Sequence, residues 1–228
     1  MAHAFVADPA SPELEPDDRH HLERVLRVRR GEEVTVSDGA GRWRACRMGP
    51  GGVLEPLGDV VVVPRPQPAV GVGIALTKGA RPELAVQKLT ELGVDRIVPF
   101  VAERSVARWE GERAGRHVDR LRRVAREAAV QARLAHLPEV ADLADFPAVA
   151  ALPGAARCDL GGVPPGLDRP VLLVGPEGGW SDAERGSGLP VVGLGPTVLR
   201  AETAAIAAGA LLNALRARVV VARGGSDA

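Results

Sequence analysis

Val171-Leu-Leu-Val-Gly-Pro-Glu-Gly-Gly-Trp-Ser-Asp182 is the stretch on which the fold turns. Four apolar residues bounded by turn signals suit a fully buried strand. The run breaks at once into Gly175-Pro-Glu-Gly-Gly, after which Ser181 or Asp182 can cap a helix. Outward from this point the same alternation recurs. Residues 70–76 form a short apolar run, and 82–92 read as a helix with Pro82 in its first turn and Gly93 at its end. Residues 95–100 read as a strand. A long helix is expected at 117–135, with Leu121, Ala125, Ala128 and Ala132 on its inner stripe. Residues 191–194 form another strand, and 202–219 a nearly all-apolar helix. Strands alternating with helices imply an α/β layer with a largely parallel sheet over residues 67–228. Residues 223–228 read as a frayed tail.

The first 66 residues have a different texture. Val62-Val-Pro-Arg-Pro-Gln-Pro68 holds three prolines in five residues, which reads as a stiff linker without strand pairing. Ahead of it, Val34 and Val36 alternate with polar residues, Asp38-Gly39 supplies a turn, and Trp43 and Ala45 resume the alternation. Residues 17–27 suggest a short helix with Leu22, Val25 and Leu26 on one face. Short strands and frequent glycines point to a small β-barrel, marginal on its own at about sixty residues.

Composition narrows the class. The chain has 228 residues, 46% of them hydrophobic and 25% charged, which excludes a disordered, collagenous or disulfide-scaffold protein. Cys46 and Cys158 are its only cysteines and lack metal-ligand spacing, so no metal site is expected. No uncharged apolar run approaches the ~18 residues of a membrane span, and the start lacks a leader pattern, so a cytoplasmic location is expected. The 29 cations balance 29 anions, but only Lys78 and Lys88 are lysines. Arginine forms forked contacts to phosphate and stacks on bases. Residues 96–133 hold 10 Arg against 5 Asp or Glu, and a second cluster includes Arg19, Arg24, Arg27, Arg29, Arg30, Arg42, Arg44 and Arg47. Such clusters suit a nucleic-acid footprint or an ordinary solvated surface.

Parallel α/β domains bind ligands at the carboxyl ends of their strands. Three loops follow strands here: Thr77-Lys78-Gly79, residues 175–182 and residues 195–204. Gly71-Val-Gly-Ile-Ala-Leu76 lacks the last glycine of a dinucleotide fingerprint, and no P-loop, nucleophile elbow or H-E-x-x-H motif occurs. The glycines at 175–179 let a backbone approach a ligand or simply make a tight turn. Gly195-Pro-Thr-Val-Leu-Arg-Ala-Glu precedes the apolar helix, with Arg200 and Glu202 at its mouth.

Taken together, these segments resemble the RsmE-type SPOUT methyltransferases. The resemblance lies in Gly175-Pro-Glu-Gly-Gly-Trp-Ser, in Leu194-Gly-Pro-Thr-Val-Leu-Arg-Ala-Glu-Thr-Ala, in Ala75-Leu-Thr-Lys-Gly and in Gln87-Lys-Leu-Thr-Glu-Leu-Gly-Val-Asp-Arg-Ile-Val-Pro-Phe. Ser105, His20-His-Leu-Glu-Arg-Val-Leu-Arg-Val and Asp38-Gly-Ala-Gly extend it over residues 20 to 213. Thr197 and Ala201 stand where many relatives carry Arg and Thr, and Val130-Gln-Ala-Arg133 departs from their Glu-Gln-Ser-Gly-Arg pattern.

The resemblance implies a PUA-like β-barrel at 1–66 that binds RNA, then a SPOUT α/β domain at 67–228 with a deep trefoil knot and a homodimer interface. It implies S-adenosyl-L-methionine as cofactor and methylation of N3 of a uridine in small-subunit rRNA, free or in the assembled subunit, near the decoding centre. The expected cofactor residues are Leu76, Thr77, Gly175, Pro176, Glu177, Gly178, Leu194, Gly195 and Leu199. Arg200 is expected to stabilise the base's developing charge, with Glu202 orienting Arg200 or accepting the proton. Arg24, Arg27, Arg29, Arg123, Arg126 and Arg133 are expected to hold RNA phosphates. Two alternatives stay open: ribose 2′-O methylation on the same fold, or a non-catalytic RNA-binding dimer.

Overall fold

The computed structural model describes residues 1–79 and 81–221; the tail expected at 223–228 lies outside the described residues. The chain divides into two compact units, one of Met1–Arg65 with Arg126–Leu137 and one of Pro66–Ala125 with Pro138–Ala228.

The first unit is built on a five-stranded sheet. Strand β1 (Ala2–Phe5) lies parallel to β2 (Glu33–Ser37), and β3 (Arg42–Met48) is antiparallel to β2, β4 (Leu54–Pro56) and β5 (Val61–Val62). The hydrogen-bonded path runs from β1 to β4, with β5 also on β3, and this sheet is the body of the small β-barrel that was expected. The hairpin differs from expectation. Asp38 N–H donates to the Arg42 carbonyl, so the loop is Gly39-Ala-Gly41 rather than a turn centred on Asp38-Gly39. That moves the register by an odd number of residues, which exchanges the two faces of β3. Val34 therefore pairs with Cys46, and Cys46 and Met48 are buried, while Trp43 and Ala45 pair with Ser37 and Thr35.

Two further expectations fail for local reasons. Helix α1 (Pro16–His20) passes into a single π-helical turn at His21–Val25. Bonds spanning five residues shift the phase of the apolar stripe. Leu22 is wholly buried, but Val25 and Leu26 are exposed. The expected linker is paired at its start, because Val62 faces Arg42 across the ladder and Val63 N–H donates to the Gly41 carbonyl. Pairing ends only where the prolines begin.

In the second unit, β6 (Gly71–Ala75), β7 (Arg96–Val101), β8 (Glu139–Val140), β9 (Ala144–Asp145), β10 (Ala155–Val163), β11 (Val171–Val174) and β12 (Val191–Val192) form one parallel sheet. Its order is β12-β10-β11-β6-β7-β8, with β9 also on β7. The helices are α2 (Arg81–Glu91), α3 (Glu112–Ala132), α4 (Phe146–Ala150), α5 (Asp182–Arg185) and α6 (Ala201–Arg216). Alternate residues of the strands feed cores on opposite faces. Leu172 joins Leu89, Ile97, Leu121 and Leu212, whereas Leu173 joins Phe100, Val149 and Trp180. Each such burial contributes roughly 1.5–3 kcal/mol.

The helices keep their expected places with altered ends. Helix α3 starts at Glu112 and buries Leu121, Ala125, Ala128 and Ala129, while Ala132 is exposed. The spacing i, i+4, i+7, i+8 follows the 3.6-residue period more closely than the expected stripe does. Helix α6 stops at Arg216, leaving Val219 exposed, and the strand expected at 191–194 is only Val191–Val192. Gly209 permits close packing of α6 on α2, since a Cβ there would lie 2.5 Å from Leu89 Cδ2. Every strand points its carboxyl end to one edge, and the expected ligand loops meet there.

Candidate active site

At that edge lies a cleft of about 410 Å³. One wall follows β11 and consists of Val174, Gly175, Pro176, Glu177, Gly179 and Trp180. A second follows β12 and consists of Leu194, Gly195, Thr197, Val198, Leu199 and Arg200. Cys158, Asp159 and Leu160 of β10 close the third side, with Ala201 and Ala204 from the start of α6.

The first wall is held by packing beneath it. Trp180 is 2% exposed, donates from Nε1 to the Cys158 carbonyl at 2.8 Å, and stacks on Phe100 with centroids 6.2 Å apart. Ser181 then caps α5: its side chain accepts from Glu184 N–H while the Glu184 carboxylate accepts from Ser181 N–H. This reciprocal box satisfies two amide groups that a helix start leaves open. Glu184 also accepts from Glu103 N–H at 2.9 Å, tying the loop after β7 to the same corner. The second wall has fewer anchors: Leu194 packs against the core, but Gly195 has φ +139°, and Thr197, Val198 and Arg200 are exposed.

Seven expected site residues therefore line the cleft: Gly175, Pro176, Glu177, Leu194, Gly195, Leu199 and Arg200. Gly178 does not. A Cβ there would lie 3.1 Å from Arg104 Cβ and from its carbonyl oxygen, so this glycine makes room for Arg104. Leu76 is buried below the edge, donating its N–H to the Phe100 carbonyl. Thr77 and Glu202 line a narrow crevice with Arg81 instead. Arg200 occupies the N-cap position of α6, and its guanidinium makes no hydrogen bond or ion pair among the described residues.

Arg81 is the main residue that sequence reasoning missed. Its guanidinium pairs with Glu177 of the glycine-rich loop, and its Nε lies 3.9 Å from Glu202 Oε1. A signal for it existed: a cation at the first position of a helix faces the positive end of the helix dipole and calls for carboxylate partners. Glu202 is nearly buried at 13% side-chain exposure, and its Oε2 has no hydrogen-bond partner among the described residues. The β10 wall was missed too. Burial first, and the adjacent Asp159 carboxylate second, push the Cys158 thiol up to about 12, so this cysteine offers no thiolate near neutrality.

The expected RNA-binding arginines separate by environment. Arg24, Arg27, Arg29 and Arg133 are exposed on the first unit, and Arg123 is exposed on the second. Arg126 differs, because it pairs with Asp18 at 2.7 Å and lies 5.1 Å over the Phe5 ring within the first unit. Arg42 and Arg44 are likewise used internally, on Asp8 and on the carbonyls of Ala10 and Gly58. Among the described residues no group of three or more His, Cys, Asp or Glu side chains could hold a metal ion. No described helix is long and apolar enough to cross a membrane.

Residues 64–213 match the RNA methyltransferase domain family, and residues 14–53 match the RNA methyltransferase PUA domain. Ribosomal RNA small subunit methyltransferase E of Mycobacterium bovis is 34% identical, with 90% of this chain and 87% of that protein covered. A methyltransferase of Legionella pneumophila, solved with bound SAM, superposes with TM-score 0.80 at 27% identity, covering 94% of this chain and 97% of that one. Ribosomal RNA small subunit methyltransferase E of Neisseria gonorrhoeae, bound to S-adenosyl methionine, gives TM-score 0.76 at 27% identity, covering 94% and 98%. By the span of the family match and the identity of its relatives, the chain belongs to the RNA methyltransferase family that includes ribosomal RNA small subunit methyltransferase E.

Proposed function

We propose that this protein transfers a methyl group from S-adenosylmethionine to N3 of a uridine in small-subunit ribosomal RNA, near the decoding centre, in the cytoplasm. The observation that carries the reading is the cleft formed by the loops after β11 and β12, with an unpaired Arg200 at its mouth. Its volume of about 410 Å³ lies within the usual range for small-molecule sites. The walls fit the cofactor chemically. Val174, Leu194 and Leu199 offer apolar surface to a purine ring, and main-chain groups at 175–179 and 194–195 offer hydrogen bonds.

When bound, the cofactor supplies an electrophilic methyl group on a sulfonium. The protein's part is orientation and charge stabilisation. Arg200 faces the cleft with all its donors uncommitted, as required to stabilise a uracil that is losing its N3 proton. Glu202 lies in the neighbouring crevice rather than in the cleft, so its part is to position Arg81, whose guanidinium also fastens Glu177. Leu76, Thr77 and Gly178 support the pocket from behind its lining.

The first unit, with residues 1–66, acts in this reading as the RNA-binding PUA-like domain, and residues 67–228 as the methyltransferase domain. Arg24, Arg27, Arg29, Arg123 and Arg133 contact phosphates; Arg126 is committed to Asp18. A trefoil knot is supported by the path of the chain. From β12 at one end of the sheet order, the chain returns to α6, which packs against β6, β11 and α2. Gly162 and Gly193 touch backbone to backbone. A crystal structure with α6 outside the loop it is proposed to thread would remove the knot. Homodimerisation is supported by Ile206, Ala207, Leu211 and Leu215, which α6 leaves only partly covered within the chain. Light scattering that gives a monomer mass at micromolar concentration would exclude a stable dimer.

The decisive assay incubates the protein with S-adenosylmethionine and small ribosomal subunits, then maps the modified nucleoside by mass spectrometry. A methyl on uracil N3 is expected. A methyl on the ribose, or none, overturns the assignment.

A further inference from the structure

The same edge of the sheet carries a second recess that shares no lining residue with the cleft. It measures about 320 Å³ and includes Thr77, Lys78, Glu83, Trp109, His117 and Arg120. Trp109 packs partly against the core and stacks on His117, with centroids 4.6 Å apart and planes 14° from parallel. His117 is exposed, so the stack is accessible from solvent. Lys78 is also exposed and forms no ion pair among the described residues, whereas Lys88 is paired with Glu91.

His117 and Arg120 stand three residues apart on α3 and share a face of it. Glu83 Oε1 holds Arg120 Nε at 3.1 Å, leaving the outer guanidinium nitrogens available. The other carboxylate oxygen, Glu83 Oε2, is buried with no hydrogen-bond partner among the described residues. A buried acceptor left unpaired is unfavourable, so this atom points to an absent donor.

A stacked aromatic pair, two cations and one buried acceptor together match one kind of ligand. A free phosphate would use the cations and leave the rings idle. An apolar peptide would use the rings and leave the cations and Glu83 unanswered. A nucleotide uses all three, through its base face, its phosphate and a base N–H group. The recess sits beyond β6 and β7, and β6 is the immediate neighbour of β11 in the sheet. With strands ~4.8 Å apart, the two sites are close enough to serve neighbouring nucleotides of one strand.

We propose that this recess binds a nucleotide flanking the target in the RNA substrate, its base stacked on the Trp109–His117 pair and its phosphate held by Lys78 and Arg120. The proposal rests on the RNA methyltransferase reading above. Two measurements test it. In steady-state methylation of small ribosomal subunits, His117→Ala and Lys78→Ala should each raise KM for the subunit about fivefold to a hundredfold, the range expected for one stacked base. Turnover at saturation and KM for S-adenosylmethionine should stay within about twofold of wild type. Separately, single-stranded RNA hexamers should quench Trp109 fluorescence, and His117→Ala should weaken hexamer binding. Trp109→Phe, which keeps a ring, should lose the quench but retain affinity within about threefold. Unchanged KM in both variants of an active enzyme overturns the recess and leaves the methyltransferase reading standing. If the wild type methylates no RNA, that reading fails instead, and hexamer affinity decides for the recess alone: weakened in His117→Ala it stands, unchanged it falls.

Discussion

The two long walls of the cleft come from loops of similar length and are built in opposite ways. The loop after β11 is an extension of the core. Its Trp180 is buried among Phe100, Phe146 and Arg157, and its end is locked by the Ser181–Glu184 capping box. The loop after β12 is rooted in the core by Leu194 but carries Thr197, Val198 and Arg200 outward, with Val198 83% exposed and Arg200 unpaired among the described residues. Substitutions in the first loop should therefore register in stability before they register in chemistry. In the second the order should reverse. The site combines a preformed wall with one left free to meet its ligands.

The strongest attack on this contrast is Trp180→Ala. It removes a buried indole, its bond to the Cys158 carbonyl and two ring contacts, and truncation of a core aromatic costs about 3–5 kcal/mol. Denaturant unfolding should show that loss, and calorimetry should show cofactor binding lost with it. Trp180→Phe should recover most of the stability. A Trp180→Ala variant of wild-type stability would mean that this wall is not part of the core.

Arg200→Ala attacks the other wall. The rate of methyl transfer under single-turnover conditions should fall about 10²–10³-fold, the loss typical of one transition-state donor. Its midpoint of unfolding should hardly move, because the guanidinium has no partner among the described residues to lose. A near-normal rate would reduce Arg200 to a position at the start of α6.

The same contrast explains what could be read in the sequence. The strands at β6, β7 and β11 were legible because each is an apolar run bounded by turn residues, and the two glycine-bearing loops followed from them. Strand β10 was not, because Ala155-Ala-Arg-Cys-Asp-Leu-Gly-Gly-Val lacks both an apolar run and an alternation. Its buried Arg157 is matched by Asp159 two residues on, at 2.6 Å, and Asp159 also pairs with Arg185, a partner 26 residues away. The place of Arg81 at the start of α2 called for carboxylates, but which ones could not be read, since its partners Glu177 and Glu202 lie on two other elements. Local pattern reports which face is apolar. It does not report which charges meet.

Ser181→Ala should give a smaller effect within the anchored wall. Loss of a cap side chain costs about 1 kcal/mol, and the Glu184 carboxylate keeps its bond to Glu103 N–H. Unfolding experiments should find that decrement, while cofactor affinity falls by less than tenfold. A loss as large as that of Trp180→Ala would place the weight of the wall on the cap instead of the ring.

The smallest expected effect, and the sharpest discrimination, comes from Val198→Ser. Val198 is 83% exposed, so an exchange there removes little buried surface from the folded chain. Surface changes of this kind usually stay within about 0.5 kcal/mol of wild type. If the second wall closes on the cofactor, however, Val198 becomes buried in the complex, and the substitution gives up the apolar contact only there. Stability of the free protein should then be unchanged while cofactor affinity falls a few-fold, measured by calorimetry on the two proteins side by side. Unchanged affinity would leave Val198 outside the cofactor's contact surface and limit that part of the wall to Leu199 and Arg200. A measurable loss of stability without ligand would show that the second loop is already packed, and the contrast between the walls would disappear.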